Sequence, residues 1–327
     1  MTDMPQTNAQ ASWLQRNKLS VAPWIFLIPA LAFFAVYVVI PIFQSLSLSL
    51  YEWNGLRGPD GEFLGEYVGF NNYVKLWDDP KFWTSLANNV LWLLLFMLAV
   101  PAGLGIALFL NQTVMGMRFY KSMFFFPFVI SQVVVGLIFG WFYNPDFGVV
   151  GSIWKALYCE ETTNILGNVT FKCSKTPPDI LSSAEYATYG IIAAGLWPQI
   201  AYCMILYLTG LNNVASDQIE AGRLDGAKGW KMLWYVVLPQ LRPATFIAVV
   251  VTVIGALRSF DMIAIMTQGG PYGSTNVLAY YMYETAISEY GDRYGYGSAI
   301  ATVLFFIMLI YISYFLYRMY MDERDAR

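Results

Sequence analysis

Three groupings of residues in this chain have types and spacings that could do chemistry. Arg258 and Asp261 stand three positions apart within an apolar run, so one helix through both would set them on a single face. Ionisable side chains within a membrane segment are costly and mark functional positions by default. The pair reads either as two charges neutralising each other inside a helix bundle, or as a polar patch on a path for a hydroxyl-bearing or anionic solute. Cys159 and Cys173 share a polar stretch. They form either a disulfide, with about 3 kcal/mol of loop constraint on the chain-entropy model, or two free thiols. Cys203, in an apolar run, reads as a small packing residue. Paired carboxylates, as glycoside chemistry needs, occur at Asp78-Asp79 and Glu160-Glu161. Both pairs lie in polar loops and read as solvated charge. Histidine is absent from all 327 residues, which removes the commonest zinc ligands, the Ser-His-Asp arrangement and imidazole proton relays. No GxxxxGK[ST] phosphate loop is present, so the chain offers no nucleotide site of that type. We therefore expect no enzyme activity and no cofactor in this chain.

A second set could bind without reacting. Asn89 opens the second apolar run, Gln132 lies in the third, and Trp197 and Gln199 lie in the fourth. Amides can pair with sugar hydroxyls, and an indole can cover a sugar's CH face. Each alone also serves as an interhelical hydrogen bond or as packing.

The elements that must position these residues are membrane helices. The chain is 57% hydrophobic, 17% aromatic and only 13% charged, with mean hydropathy +0.48. A soluble domain could not cover so much apolar surface with so few charges. The net charge of -3 gives no basic face for nucleic acid. A span needs roughly 20 mostly apolar residues, and six runs qualify, at 23–48, 86–111, 119–143, 187–211, 243–266 and 297–320. The expected fold is an all-α polytopic membrane protein. A polar tail, 1–22, precedes a membrane domain over 23–320, and a short tail, 321–327, follows it. The first run is longer than a signal-peptide core and lacks a cleavage site, so it reads as a retained helix. Gly103 and Gly105, with Ala102 and Ala107, suggest a small face for close packing on the second helix. Basic residues such as Arg16, Arg118, Arg223 and Arg242 concentrate in the segments on one side. By the positive-inside rule this puts both termini in the cytoplasm and the loops 49–85, 144–186 and 267–296 outside. Asn168-Val169-Thr170 matches a glycosylation sequon, a tripeptide that also arises by chance.

The cytoplasmic stretch 212–242 is polar, then amphipathic. Asp217 with Glu220 predicts a capping box and a helix starting near Gln218, with Ile219, Leu224 and Ala227 on one side. Gly226 and Gly229 predict a break, and Trp230, Leu233, Trp234 and Val237 a second helical piece. Pro239 would stop it and Pro243 open the next span. Physics alone favours an interfacial anchor here; a knob for a soluble partner is the alternative.

Glu220, Ala221, Asp225, Gly226 and Ala227, then Trp230 and Leu238-Pro239, resemble in order and spacing the cytoplasmic EAA loop of ABC-importer permeases. Gly222 departs from that pattern, which usually has alanine, and would soften the helix. Thr267-Gln268-Gly269-Gly270-Pro271, Thr275, Leu278, Tyr283 and Tyr296-Gly297-Ser298-Ala299 are similar to the closing region of the maltose-type and glycerol-phosphate-type permeases. Pro41, Phe43, Gln44 and Ser45, and Gly69, Phe70, Asn72 and Tyr73, also fit them. The resemblance implies a type I importer permease in a bacterial inner membrane that moves a carbohydrate or glycoside by alternating access. It implies a second related permease, a periplasmic solute-binding protein, and two ATPase subunits that hold ATP and Mg and grip Glu220–Ala227. It also implies that Gln132, Gln199, Arg258 and Asp261 line the path. An ion-coupled secondary sugar transporter is the alternative; it calls for inverted repeats and several intramembrane acids, whereas only Asp261 is present and no repeat is evident.

Overall fold

The computed structural model describes residues 18–112, 115–163, 169–288 and 292–325; Arg16 and Asn168 lie outside the described residues. Helix α1 (Lys18–Phe34) runs through a π-turn (Ala35–Val39) into α2 (Ile40–Leu48). A short hairpin, β1 (Tyr51–Glu52) with β2 (Glu66–Tyr67), and α3 (Asn71–Trp77) follow. Then come α4 (Pro80–Phe96), α5 (Ala99–Leu110), α6 (Met117–Val129), α7 (Gln132–Phe142) and α8 (Val149–Tyr158). The hairpin β3 (Cys159–Thr163) and β4 (Val169–Cys173) pairs Cys159 opposite Cys173. After it, α9 (Ala187–Asn212) leads to α10 (Ser216–Leu224) and to α11 (Trp230–Met232), a π-turn (Leu233–Val237) and α12 (Leu238–Gln240). The chain ends with α13 (Arg242–Leu257), α14 (Asp261–Met266), α15 (Leu278–Ala286) and α16 (Tyr294–Asp325).

Among the described residues, four helices are long and apolar enough to span a membrane: Phe26–Leu48, Pro80–Leu110, Ala187–Asn212 and Tyr294–Met321. Counting each of two bent pairs as one span brings the number to six: Met117–Val129 with Gln132–Phe142 at 98°, and Trp230–Gln240 with Arg242–Leu257 at 72°. The third run is therefore two helices, broken at Ile130-Ser131, where Ser131 Oγ accepts from Val134 N–H. The fifth run, expected to be continuous over 243–266, is also broken: α13 stops at Leu257 and α14 starts at Asp261.

Both π-turns have one cause. Each ends two positions before a proline, Val39 before Pro41 and Val237 before Pro239. A proline ring crowds the carbonyl four residues back, and a widened turn moves that carbonyl aside. Ile40 N–H accordingly donates to Ala35 O and Leu238 N–H to Leu233 O, five residues back. Pro239 thus does not stop the second helical piece, which runs on to Gln240; Pro243 does lie in the first turn of α13.

The most extensive packing between two helices is α5 on α9. A Cβ on Gly103 would stand 2.5 Å from Cys203 Cβ and 2.8 Å from Met204 N, so only a missing side chain allows this approach. The small face is Ala99, Gly103 and Ala107, one per turn and all buried. Gly105 is exposed with open space around it. The 267–296 segment is not a solvated loop: Leu278, Tyr280 and Tyr281 of α15 are buried with residues of α4 and α16.

Candidate functional site

The 212–242 segment forms a compact knob. Helix α10 does not begin with the expected capping box. Its N-cap is Ala215, no side chain caps it, and Asp217 falls inside the first turn. Ala215 N–H instead donates to Gln240 Oε1 (3.1 Å), and Gln240 Nε2 donates to Val236 O (3.0 Å). One glutamine therefore ties the start of α10 to the end of the Trp230–Gln240 piece. At the other end Gly226 N–H donates to Arg223 O (3.1 Å) and Ala227 N–H to Gly222 O (2.8 Å). This pair is a Schellman cap, and Gly226 takes the left-handed φ of +81° it requires. That geometry is the physical content of the Asp225-Gly226-Ala227 triplet.

Gly222 is the buried residue of α10. A Cβ there would lie 3.0 Å from Val236 Cγ2 and 3.3 Å from Met232 Cε. The glycine is a seat for the second helical piece rather than a soft point. Glu220, Ala221, Arg223, Leu224 and Asp225 are all exposed. Leu224 is 90% exposed and Trp230 73%, while Ile219 and Ala227 are half-buried. The knob thus offers solvent an apolar tip ringed by charges of both signs.

The expected solute-path residues separate into two groups. Asn89 and Gln199 are engaged in hydrogen bonds between elements. Asn89 is 2% exposed, and its Oδ1 accepts from Leu278 N–H (2.9 Å) at the start of α15. Its neighbour Asn88 donates to Ser274 O (2.6 Å) and Asn276 O (2.8 Å). Gln199 Nε2 donates to Thr252 Oγ1 (2.9 Å) across α9 and α13. Trp197 packs edge-on to Phe139 of α7, ring centroids 5.8 Å apart, with part of its ring exposed. Gln132, Arg258 and Asp261 are exposed. Among the described residues the salt bridges are Lys75–Glu52 and Lys81–Glu284, both at 2.9 Å, so Arg258 and Asp261 do not pair. The helix break separates them: Arg258 caps the end of α13 and Asp261 opens α14. Phe260 fills the break by packing on Tyr280 and Tyr283, and α14 leans on α7 through Ile265 and Met266 against Gly136. The break leaves irregular backbone and two charged side chains between α13 and α14; within a membrane such backbone is tolerated only against protein or a cavity.

Two features escaped the sequence reading. Asp79 is not solvated charge. It caps α4 by accepting from Lys81 N–H (2.9 Å), and it accepts from Tyr296 OH (2.7 Å) and from Tyr281 OH. Burial alone would raise its pKa; the two tyrosines and the backbone N–H groups outweigh it and hold the carboxyl below its ordinary value. The Asp-Pro junction at Asp79-Pro80 was a readable helix-start signal. The anchoring of 267–278 by Asn88, Asn89 and Thr188, which donates to Ser274 O (3.2 Å), had no local signal. Cys159 and Cys173 form a disulfide, and Cys203 is a buried free thiol.

Residues 63–322 match the family model described as "Binding-protein-dependent transport system inner membrane component". The chain is 33% identical over 296 residues to the "Probable ABC transporter permease protein YurN" of Bacillus subtilis, covering 90% of this chain and 94% of that one. It is 34% identical to the "Multiple sugar-binding transport system permease protein MsmF" of Streptococcus mutans, covering 87% and 90%. Its fold matches a chain of the crystal structure of a bacterial ABC transporter involved in the import of alginate, with TM-score 0.72 at 20% identity over 96% and 98% of the two chains. Nothing in these likenesses favours ion coupling. With six candidate spans, a polar knob between the fourth and fifth, and a family match across most of its length, the chain belongs to the inner-membrane permease components of binding-protein-dependent ABC transport systems.

Proposed function

We propose that this chain is one half of the pore of a bacterial importer for a carbohydrate or glycoside, with both termini in the cytoplasm. The sugar assignment is supported by the name of the Streptococcus mutans relative, and by the amide, indole and broken-helix groups available for hydroxyls. A second, related permease completes the pore, and a periplasmic binding protein delivers the solute. Two ATPase subunits, which hold ATP and Mg, dock on the 212–242 knob; this chain holds no cofactor and does no covalent chemistry. The observation that carries the reading is the knob itself: a helix seated on Gly222, locked by a Schellman cap and clipped by Gln240, with Glu220, Leu224 and Asp225 turned to solvent. Such a handle is rigid enough to convey a partner's displacement to α13, which starts directly after it. Gln132, Arg258 and Asp261, exposed and unpaired in the single chain, then face the solute path or the second permease.

The test is reconstitution with its ATPase, binding protein and second permease. Uptake should require ATP, and Glu220→Ala should abolish both ATPase capture and uptake while the protein stays folded in the membrane. Uptake by this chain alone on an ion gradient, or labelling of a Glu220→Cys variant from the outside, would overturn the proposal.

A further inference from the structure

We propose that α8 (Val149–Tyr158) is an interfacial helix whose exposed apolar stripe lies in the outer leaflet of the membrane. At 100° per residue, Val149, Ile153, Ala156 and Leu157 fall on one face, and Gly151, Trp154, Lys155 and Tyr158 on the other. The two faces are used differently. Gly151 is buried, and Trp154 and Lys155 are partly covered. Trp154 packs against Tyr158 in a tilted arrangement with centroids 4.5 Å apart, and Lys155 Nζ donates to Asp146 O (2.7 Å). On the stripe Val149 is half-buried, and beyond it Ala156 is exposed, Ile153 56% exposed and Leu157 70% exposed.

Three observations name lipid as what covers it. First, exposed apolar side chains lead up to the stripe along the chain. Leu137 and Trp141 of α7 and Phe147 of the connecting turn are also exposed. Second, the turn from α7 to α8 is short and held tightly, which keeps α8 at the outer end of α7. Asn144 Oδ1 accepts from Asp146 N–H and Phe147 N–H, and Gly148 N–H donates to Asn144 O. Third, no charged side chain lies on the stripe, while its flank carries tryptophan, tyrosine and lysine. Lys175 Nζ stands over the Tyr158 ring at 5.7 Å. Amphipathic aromatic and lysine side chains beside an apolar face are the composition of a membrane interface. The disulfide-closed hairpin after α8 then stands in water, and its base is fixed at the surface. This inference rests on the membrane assignment and on the proposed orientation with both termini in the cytoplasm, and is independent of what the permease carries.

Spin labels at Ile153→Cys and Leu157→Cys, with Glu160→Cys in the hairpin as the aqueous reference, test it in full-length protein assembled with its partners in lipid vesicles. The native disulfide and the buried Cys203 leave the introduced thiol as the site of labelling. The expected result is loss of relaxation by a water-soluble nickel chelate at 153 and 157 with relaxation by oxygen retained, and the reverse at 160. Relaxation by the chelate at 153 and 157 would show a water-facing helix. Shielding from both reagents would show a protein partner on the stripe. Either outcome overturns the proposal.

Discussion

Gly226 isolates the contribution of the cap at the end of α10. Its φ is +81°, and a Cβ built on it meets nothing within 4 Å. Any side chain introduced there is therefore penalised through the backbone and not through a clash. An L-residue in the left-handed region costs about 1–2 kcal/mol, and a β-branched side chain adds to that because its rotamers are restricted. A change of one or two kcal/mol shifts a two-state ratio by roughly 5- to 30-fold. Gly226→Val should thus lower by about that factor the population in which Ala227 N–H and Gly226 N–H close the helix on Gly222 and Arg223. Gly226→Asn is the control, since asparagine tolerates this conformation. The assay is capture of the ATPase by solubilised permease, with uptake measured in parallel. Capture should fall for Gly226→Val and be largely retained for Gly226→Asn, with equal amounts of protein in the membrane. Undiminished capture by Gly226→Val would refute the reasoning; so would equal loss in both variants, which would mean that glycine is needed for contact with the partner.

Three further outcomes are expected. Gly103→Leu should separate α5 from α9, because even a Cβ would sit 2.5 Å from Cys203 Cβ; overpacking of this kind costs about 1–3 kcal/mol or more, read as a lowered melting temperature in detergent, while Gly105→Leu, into open space, should be neutral. Asn89→Ala strands the buried Leu278 N–H, a loss of about 1–3 kcal/mol, and should free the 267–278 segment to early proteolysis. The folded pKa of Asp79 is lowered, so its stabilisation is present above the ordinary value of 3.8 and is lost as pH falls through the folded value. The melting-temperature gap between wild type and Asp79→Asn should therefore stay constant from about pH 5 to 8 and close only in stronger acid.

Composition and pattern alone determined that this is a membrane protein of about six helices, because apolar runs of spanning length are a one-dimensional property. The turn in the Glu220–Ala227 block, though not its role, was legible for a related reason. It depends on a left-handed residue flanked by its own helix, and Asp225-Gly226-Ala227 carries that locally. The tertiary structure decided what depends on neighbours distant in sequence. Periodicity extrapolates a helix through Arg258 and Asp261, but packing of Phe260 on Tyr280 and Tyr283 accompanies a break that parts the two charges. Asn89 and Gln199 had the right chemistry for a solute, and which partner an amide meets is a question of three-dimensional proximity; Leu278 and Thr252 arrive first. Asp79 had the charge of a solvated loop residue, yet two tyrosines some two hundred positions away turn it into an anchor. Gly222 was a departure from a motif until Val236 and Met232 showed what the missing side chain leaves room for.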